Sequence, residues 1–577
     1  MIFIICFSIA AVILAVTAIR FFRNTENKLL TTGAGLFLAL FALFFPSESC
    51  ASISDTINTI IISIVRSIKV FGLNEDFFAS EFDFGTLPLW FNITYVFVLN
   101  LLYLIAPLLT FGLILSIFGN ISSGIRLALS GMKDVYIFSS ANTRSTLLAE
   151  DIKKHNPDAV IVFYNSENTT FRTRNDIICF SGSISEINPI ILKFAKHITL
   201  FICDNDEAIN LNNAIAILSI VKTLPKLTEK LKTNSSDNTG IDLYFFTSLK
   251  KAGPLLNGID DCGVRVRRIN EIQNLVYNFI YEKPVLDCVN ENKEINLAVI
   301  GMGQYGEEYL KAALWSGQHL DYKLNINVFD IRNIRNSFAV KCPELVNTEL
   351  LSDNDEINYK INFFDGQDIF EAQIEAIPEM KSVTAVFVAL GDDEKNFEAA
   401  IYLRECFERM ETKPEIHTVM SHIDFNGNNQ INITNHKHQA YDINFILPDD
   451  IYTYEKIMNT ELEKMGKKMF SMWNGSKQEE DFSAFYDFEF NYRSSISASM
   501  FWKIRKSLGL NVEVTEENKQ LEHRRWNAYM RTEGFRYSKN RNDIAKTHPC
   551  LVPYDKLDVT TKNYDEYPII SVFDGDD

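Results

Sequence analysis

Residues 295–306, Ile295-Asn296-Leu297-Ala298-Val299-Ile300-Gly301-Met302-Gly303-Gln304-Tyr305-Gly306, pass from an apolar strand directly into a G-x-G-x-x-G turn. A helix follows to about Trp315, and Asn325-Ile326-Asn327-Val328-Phe329-Asp330 is a second strand that ends in an acid. Each glycine has a physical task. Gly301 makes the turn, Gly303 admits a phosphate, and Gly306 lets helix and strand approach closely. Asp330 stands where a carboxylate accepts hydrogen bonds from a ribose. Gly301, Gly303, Gly306 and Asp330 form the candidate cofactor-binding set, expected to take NAD or another adenine nucleotide. The competing reading is a fold motif kept without a ligand. Val383 to Leu390, followed by Gly391-Asp392-Asp393, reads as the fourth strand, with its end at the same crevice.

The pattern extends toward the N-terminus. Asp134 to Phe138 reads as a buried strand, Ala141 to His155 as a helix and Ala159 to Tyr164 as the next strand. Asp176 to Phe180, Ile198 to Cys203 and Ile241 to Phe246 continue the series, with Glu207 to Leu224 a helix. Short apolar strands alternating with helices dictate a parallel, doubly wound sheet. Two such units are expected, at 133–282 and 293–450. The turn of the first reads Ser139-Ser140-Ala141-Asn142-Thr143-Arg144-Ser145 and lacks the glycines, and its second strand ends in Tyr164-Asn165 rather than an acid. It is read as a degenerate, structural unit, although a hydroxyl-rich turn at a helix N-terminus is also an anion site.

A chain of 577 residues is too long for one core, so three or four domains are expected. The net charge of −18 offers no basic stripe to neutralise phosphates, which argues against a nucleic-acid partner. The nine cysteines are scattered without a Cys-x-x-Cys pair, so neither a disulfide framework nor a metal site is expected. His417, His422, His436 and His438 lie late in the second unit, and no spacing marks one as the proton donor a dehydrogenase needs. Enzyme activity is not expected.

The first 125 residues are mostly apolar. Spans are expected at about 1–19, 29–46 and 88–118. Arg20 and Arg23 follow the first run rather than precede it, which favours an uncleaved span over a signal peptide. Arg20, Arg23 and Lys28 lie between spans one and two, Arg126 and Lys133 follow span three, and Glu75, Asp76, Glu81 and Asp83 occupy the other loop. Three crossings with an outer N-terminus and an inner C-terminus satisfy that distribution. The expected partner is a lipid bilayer, with the chain multi-pass in the cell membrane and its soluble domains in the cytoplasm. Three spans cannot enclose a pore, so a pore would need a homo-oligomer. The segment 52–73 places Ile57, Ile60, Ile61, Ile64 and Val65 at helical spacing, with Asp55, Arg66 and Lys69 making it amphipathic. It is read as a surface helix outside the membrane, with a re-entrant pore helix and a fourth span as alternatives.

Ile451 to Trp473 reads as a long helix opening a connector over 451–490, and Ser494 to Leu508 and Glu516 to Thr532 as two further helices. Gly534 breaks the chain, and His548-Pro549-Cys550-Leu551-Val552-Pro553-Tyr554 is extended and stiffened by two prolines. A nucleotide-type ligand suits the local chemistry. Trp526 and Tyr537 offer stacking faces. Arg493, Arg525, Arg536 and Lys546 offer phosphate donors, and His523 and His548 offer hydrogen bonds. The competing reading makes Trp526, Pro549, Leu551 and Pro553 the module's own core and pairs Glu522 with Arg525. Residues 561–577 read as an acidic tail.

On Glu522-His523-x-x-Trp526, Gly534, Arg541-x-Asp543 and Lys546-x-His548-Pro549-Cys550-Leu551-Val552-Pro553-Tyr554, residues 491–560 resemble the RyR domain, named for ryanodine receptors and found also in bacterial proteins. The resemblance implies a small, mainly helical ligand-sensing or assembly module. In bacteria, RyR domains joined to membrane helices look like receptors for nucleotide-derived signals in antiviral defence. Two tandem Rossmann-like units behind a membrane region resemble the TrkA-N (RCK-like) regulatory domains of potassium channels and transporters, chiefly on Gly301, Gly303, Gly306 and Asp330. The expected fold is therefore transmembrane helices, two Rossmann-like doubly wound sheets and a C-terminal RyR domain. The expected function is a ligand-gated membrane effector or sensor. A nucleotide-regulated ion channel or transport regulator is the first alternative, and a membrane-tethered NAD-dependent enzyme the second.

Overall fold

The computed structural model describes residues 2–22, 28–47, 52–72, 87–129, 133–165, 177–187, 197–224, 240–248, 264–347, 358–421, 430–431, 441–458, 460–475, 485 and 489–573. Arg23, the loop of Glu75, Asp76, Glu81 and Asp83, His422, His436 and His438, and most of the 477–489 connector lie outside them. The chain divides into two compact units, 1–129 and 130–577.

The first unit contains the helices Ile2–Phe22, Lys28–Phe44, Ile53–Phe71 and Leu89–Leu129. The last of these spans 41 residues and carries Pro107 inside. Leu40, Leu43, Phe44, Tyr95 and Ala106 form the centre of the core, and the Tyr95 hydroxyl donates to the Leu43 carbonyl. By length and composition, one described helix segment, Leu89–Thr110, is long and apolar enough to cross a membrane, while Ile2–Ala18 and Thr32–Phe44 are shorter apolar stretches. Three spans were expected from the sequence.

The burial pattern of this unit is inverted. Helix Ile53–Phe71 buries Thr59, Ser63, Ser67 and Val70, and it exposes Ile57, Ile60, Ile61, Ile64, Val65 and Ile68. The buried hydroxyls are satisfied within the helix, Ser63 donating to the Thr59 carbonyl at 2.7 Å and Ser67 to the Ser63 carbonyl at 2.8 Å. Small residues so satisfied let helices pack closely without water. Ile93, Phe97, Leu101, Leu104 and Leu108 form an exposed stripe on the last helix.

The second unit holds two parallel sheets. The first is built from β1 (Asp134–Phe138), β2 (Val160–Phe163), β3 (Ile177–Cys179), β4 (His197–Ile202), β5 (Ile241–Phe246) and β6 (Val264–Ile269), in the spatial order β3-β2-β1-β4-β5-β6. The second contains β7 (Glu294–Ile300), β8 (Lys323–Asp330), β9 (Tyr359–Asp365), β10 (Ala385–Val388), β11 (Glu415–Val419), β12 (Gln430–Ile431) and β13 (Ile443–Ile446). Its order is β12-β13-β11-β10-β7-β8-β9, with only β12 antiparallel at the edge. Apart from that short strand, both sheets run in the 3-2-1-4-5-6 order of a doubly wound fold, whose crevice opens where the order reverses. Central strands such as β5 are buried along their whole length, as helix cover on both faces requires.

Helices Glu489–Ser507, Glu516–Thr532, Val559–Tyr564 and Glu566–Phe573 form the C-terminal part with a two-stranded parallel ladder, β14 (Arg536–Tyr537) and β15 (Thr547–His548). Two sequence expectations need correction. The long helix from Ile451 is instead a short helix Tyr454–Ile457 and a second, Glu461–Trp473, because Thr453 and Thr460 each cap a new start. The segment read as an acidic tail forms helices as far as Phe573, because Ile569 and Val572 are buried and anchor it.

Candidate functional site

The second sheet's turn has the geometry its glycines imply. Gly301 has φ +90°, and a Cβ there would lie 2.4 Å from the Ala389 carbonyl oxygen. A Cβ on Gly306 would lie 1.9 Å from the Gly301 oxygen, so helix and turn touch through backbone. Gly303 is open, its nearest neighbour being the Ala389 oxygen at 3.9 Å. As the N-cap of helix Gln304–Ser316 it brings no side chain to the first-turn N–H groups. An uncapped, glycine-lined helix N-terminus suits a phosphate, so the residues present fit an adenine nucleotide.

Asp330 ends β8, and its carboxylate takes four donors. The Met302 N–H and Arg332 Nη2 donate to Oδ2 at 2.8 Å each, and the Arg332 N–H and Nε donate to Oδ1 at 2.8 and 2.9 Å. Burial works to raise its pKa, but the hydrogen bonds from Arg332 and Met302 outweigh it and hold the carboxyl below the usual range. A carboxylate has about four lone-pair sites. A ribose diol therefore has to displace the Arg332 side chain, which is 63% exposed and free to swing.

The first sheet's equivalent turn is closed by its own side chains. The Ser145 N–H donates to Asn142 Oδ1 at 3.0 Å and the Asn142 N–H to Ser145 Oγ at 2.9 Å, a reciprocal cap. Asn142 Nδ2 also donates to the Cys203 carbonyl at 2.6 Å.

The C-terminal candidate residues divide into two groups. Arg525 is 1% exposed, and its guanidinium donates to both oxygens of Glu522 at 2.9 and 2.8 Å. Glu522 also accepts from Trp502 Nε1 at 2.7 Å. Arg493 is buried and donates to Glu533 at 2.7 Å. His523 is buried, donating from Nε2 to the Val552 carbonyl at 2.8 Å, and its Nδ1 lies 3.6 Å from Asp565. Burial pushes His523 down to about 4 and Asp565 well above the carboxylate range, so this contact joins neutral groups. These three residues serve the interior. Trp526, Arg536, Tyr537, Lys546 and His548 gather around the ladder instead. Trp526 lies 5.8 Å from the His523 ring and 5.0 Å from the His548 ring. Arg536 and Tyr537 pair with Thr547 and His548. Lys546 reaches the Glu533 carbonyl. Burial also lowers His548 to about 4, so its ring is neutral at pH 7.

The C-terminal part is fastened to the second sheet through residues that sequence reading missed. Helix Glu516–Thr532 packs on helix Gln304–Ser316, with Trp315 and Tyr529 edge to face at 6.4 Å. Glu344 accepts from Arg531 Nε at 3.1 Å and from the Tyr537 N–H at 2.9 Å. A Cβ on Gly534 (φ +83°) would lie 2.5 Å from the Lys341 oxygen.

A second omission was readable. Asp204-Asn205-Asp206-Glu207-x-x-Asn210 and Leu390-Gly391-Asp392-Asp393-x-x-Asn396 occupy the same place in the two sheets. Asn210 Oδ1 accepts from the Asp204 N–H at 2.7 Å and Asn396 Oδ1 from the Leu390 N–H at 2.6 Å. Their Nδ2 groups donate to Phe246 and Val419, at the ends of β5 and β11. Glu207 and Asp393 then accept from the Ser248 and Ser421 N–H groups. The internal repeat is thus carried by one asparagine and one acid per sheet.

No curated protein matches the chain. Among solved structures, a dipicolinate synthase from Bacillus halodurans is similar at 11% identity and a TM-score of 0.18, over 50% of this chain and 82% of that one. Residues 510–573, from the end of helix Glu489–Ser507 to the last described helix, match the RyR domain family, and the chain carries a C-terminal RyR domain there.

Proposed function

We propose that this chain is a nucleotide-responsive regulatory protein rather than an enzyme. In this reading, a nucleotide-derived signal at the RyR domain, together with an adenine nucleotide such as NAD at Gly301–Asp330, controls apolar helices lodged in a membrane. The observation that carries the reading is helix Gln304–Ser316. It begins on the glycine turn and lies against RyR helix Glu516–Thr532, so a change at either end is mechanically available to the other. A ligand acts by binding one arrangement better than another. Residues Trp526, Arg536, Tyr537, Lys546 and His548 are the RyR contacts this reading favours, since Arg493, His523 and Arg525 are committed inside. The inverted burial of the first unit supports the membrane part, because isoleucines face outward while serines pack inward. Multi-pass insertion, a homo-oligomeric pore and a role in antiviral defence complete the proposal.

The test is ion leakage from liposomes holding the full chain, exposed to NAD, ADP-ribose and cyclic oligonucleotides. Leakage triggered by one of these and lost in Trp526→Ala and Lys546→Ala supports the sensor. The matching strand orders of the two sheets favour a second reading, a TrkA-N-type regulator of ion transport. In that case Gly303→Asp abolishes the response and the RyR substitutions do not.

A further inference from the structure

A cleft of about 410 Å³ opens between the two sheets. It is lined by equivalent positions of both. Asn142–Arg144 and Gln304–Tyr305 come from the turns after β1 and β7, Ser248 and Ser421 follow β5 and β11, and Glu271 and Asp449 follow β6 and β13. Two carboxylates in it already neutralise helix starts of their own. Glu207 accepts from Ser248 Oγ at 2.8 Å and from Thr247 Oγ1 at 3.0 Å. Glu271 pairs with Arg144 at 3.0 Å and accepts from the Tyr452 hydroxyl. Asn142 caps the third helix start, Thr143–His155. Of the helix starts at the two turns, Gly303–Tyr305 therefore remains without a side-chain cap.

Position settles what the cleft adds. Asp330 ends β8, on one side of the point where strand order reverses, while Ser421 and Asp449 follow β11 and β13, on the other. A ligand with its phosphate on the glycine turn and one nucleoside toward Asp330 has its other end directed at the cleft. The carboxylates, hydroxyls and amides there are partners for sugar hydroxyls and amide groups, and the volume matches a nucleoside rather than a whole dinucleotide.

We propose that the cleft is the second half of one dinucleotide site, in which Arg144 and Glu207 of the glycine-less first sheet bind the nucleoside that extends from the second sheet's phosphate turn. The proposal rests on the reading that this turn takes a nucleotide. It gives the first sheet a binding role in a site it does not itself anchor, and it lets a dinucleotide tie the two sheets together.

The test is calorimetric binding of NAD and ADP to the full chain. NAD is expected to bind about ten-fold tighter than ADP, the worth of one or two net hydrogen bonds. Arg144→Gln and Ser421→Trp, which fills the cleft from its exposed rim, should each erase most of that preference. Gly303→Asp should abolish binding of both ligands. Equal affinities in the unmodified chain, or a preference that survives both cleft substitutions, overturns the cleft proposal and leaves the turn reading standing. Failure of both ligands to bind removes the turn reading and the cleft proposal with it.

Discussion

Arg531 on the RyR helix and Glu344 on the second sheet form an ion pair at 3.1 Å with both side chains at least nine-tenths buried. Glu344 holds the Tyr537 N–H as well, so one carboxylate pins the RyR helix and the ladder together. Removing one partner of a buried pair leaves the other charge without compensation, at about 3–5 kcal/mol. Glu344→Ala is expected to cost that much in urea unfolding and to raise protease sensitivity around 516–548. Glu344→Gln, which keeps an acceptor, should lose less.

The three glycines of the turn should respond differently to one added methyl. Gly301→Ala and Gly306→Ala drive a Cβ into backbone at 2.4 and 1.9 Å and should each destabilise by more than about 2 kcal/mol. Gly303→Ala meets nothing closer than 3.9 Å and should melt within a degree or two of the parent. Thermal unfolding of the three variants decides this, and equal losses would deny the geometry of the turn.

Asp242 in β5 provides a pH test. Burial favours its neutral form, but the hydrogen bond from His197 and the charges of Arg267 and Arg265 outweigh that and hold it at about 2. A carboxyl depressed from 3.8 to about 2 stabilises the fold above the unfolded value and loses that contribution as pH falls through the folded one. The stability gap between parent and Asp242→Asn should therefore shrink by about 1 kcal/mol between pH 5 and pH 3. A gap independent of pH would contradict the assignment.

The outward isoleucines of helix Ile53–Phe71 set an accessibility prediction. Single cysteines at Ile57, Ile61 and Ile64 should resist a water-soluble maleimide in membranes and react after detergent extraction, as lipid-facing positions do. Rapid labelling in intact membranes would place that face in water.

Legibility followed from how locally each element is determined. β7 and its turn could be read because the apolar run and the glycine spacing are both contained in 295–306. β6 could not, since Val264-Arg265-Val266-Arg267-Arg268-Ile269 is rich in arginine. Its charges are answered from elsewhere, Arg265 by Asp242, and Arg267 by Glu463 and the Tyr244 ring. In the site, the i,i+3 spacing of Glu522 and Arg525 allowed both a phosphate role and a pair. Only the packing of Trp502 onto Glu522 settles that the guanidinium points inward. Lys341, Cys342 and Glu344 carry no signal at all, because their partners lie some 190 residues away along the chain. The Asn210 and Asn396 repeat was available in sequence and was overlooked because the turns beside it differ.

The most direct test of the account is hydrogen exchange on the full chain with and without NAD at 100 times its dissociation constant, where one site adds about 2.7 kcal/mol. Protection should rise at 301–306 and also across helix Glu516–Thr532, and both effects should vanish in Gly303→Asp. Protection confined to the turn, with the RyR helix unchanged, would contradict the claim that the glycine turn and the RyR domain form one responsive body.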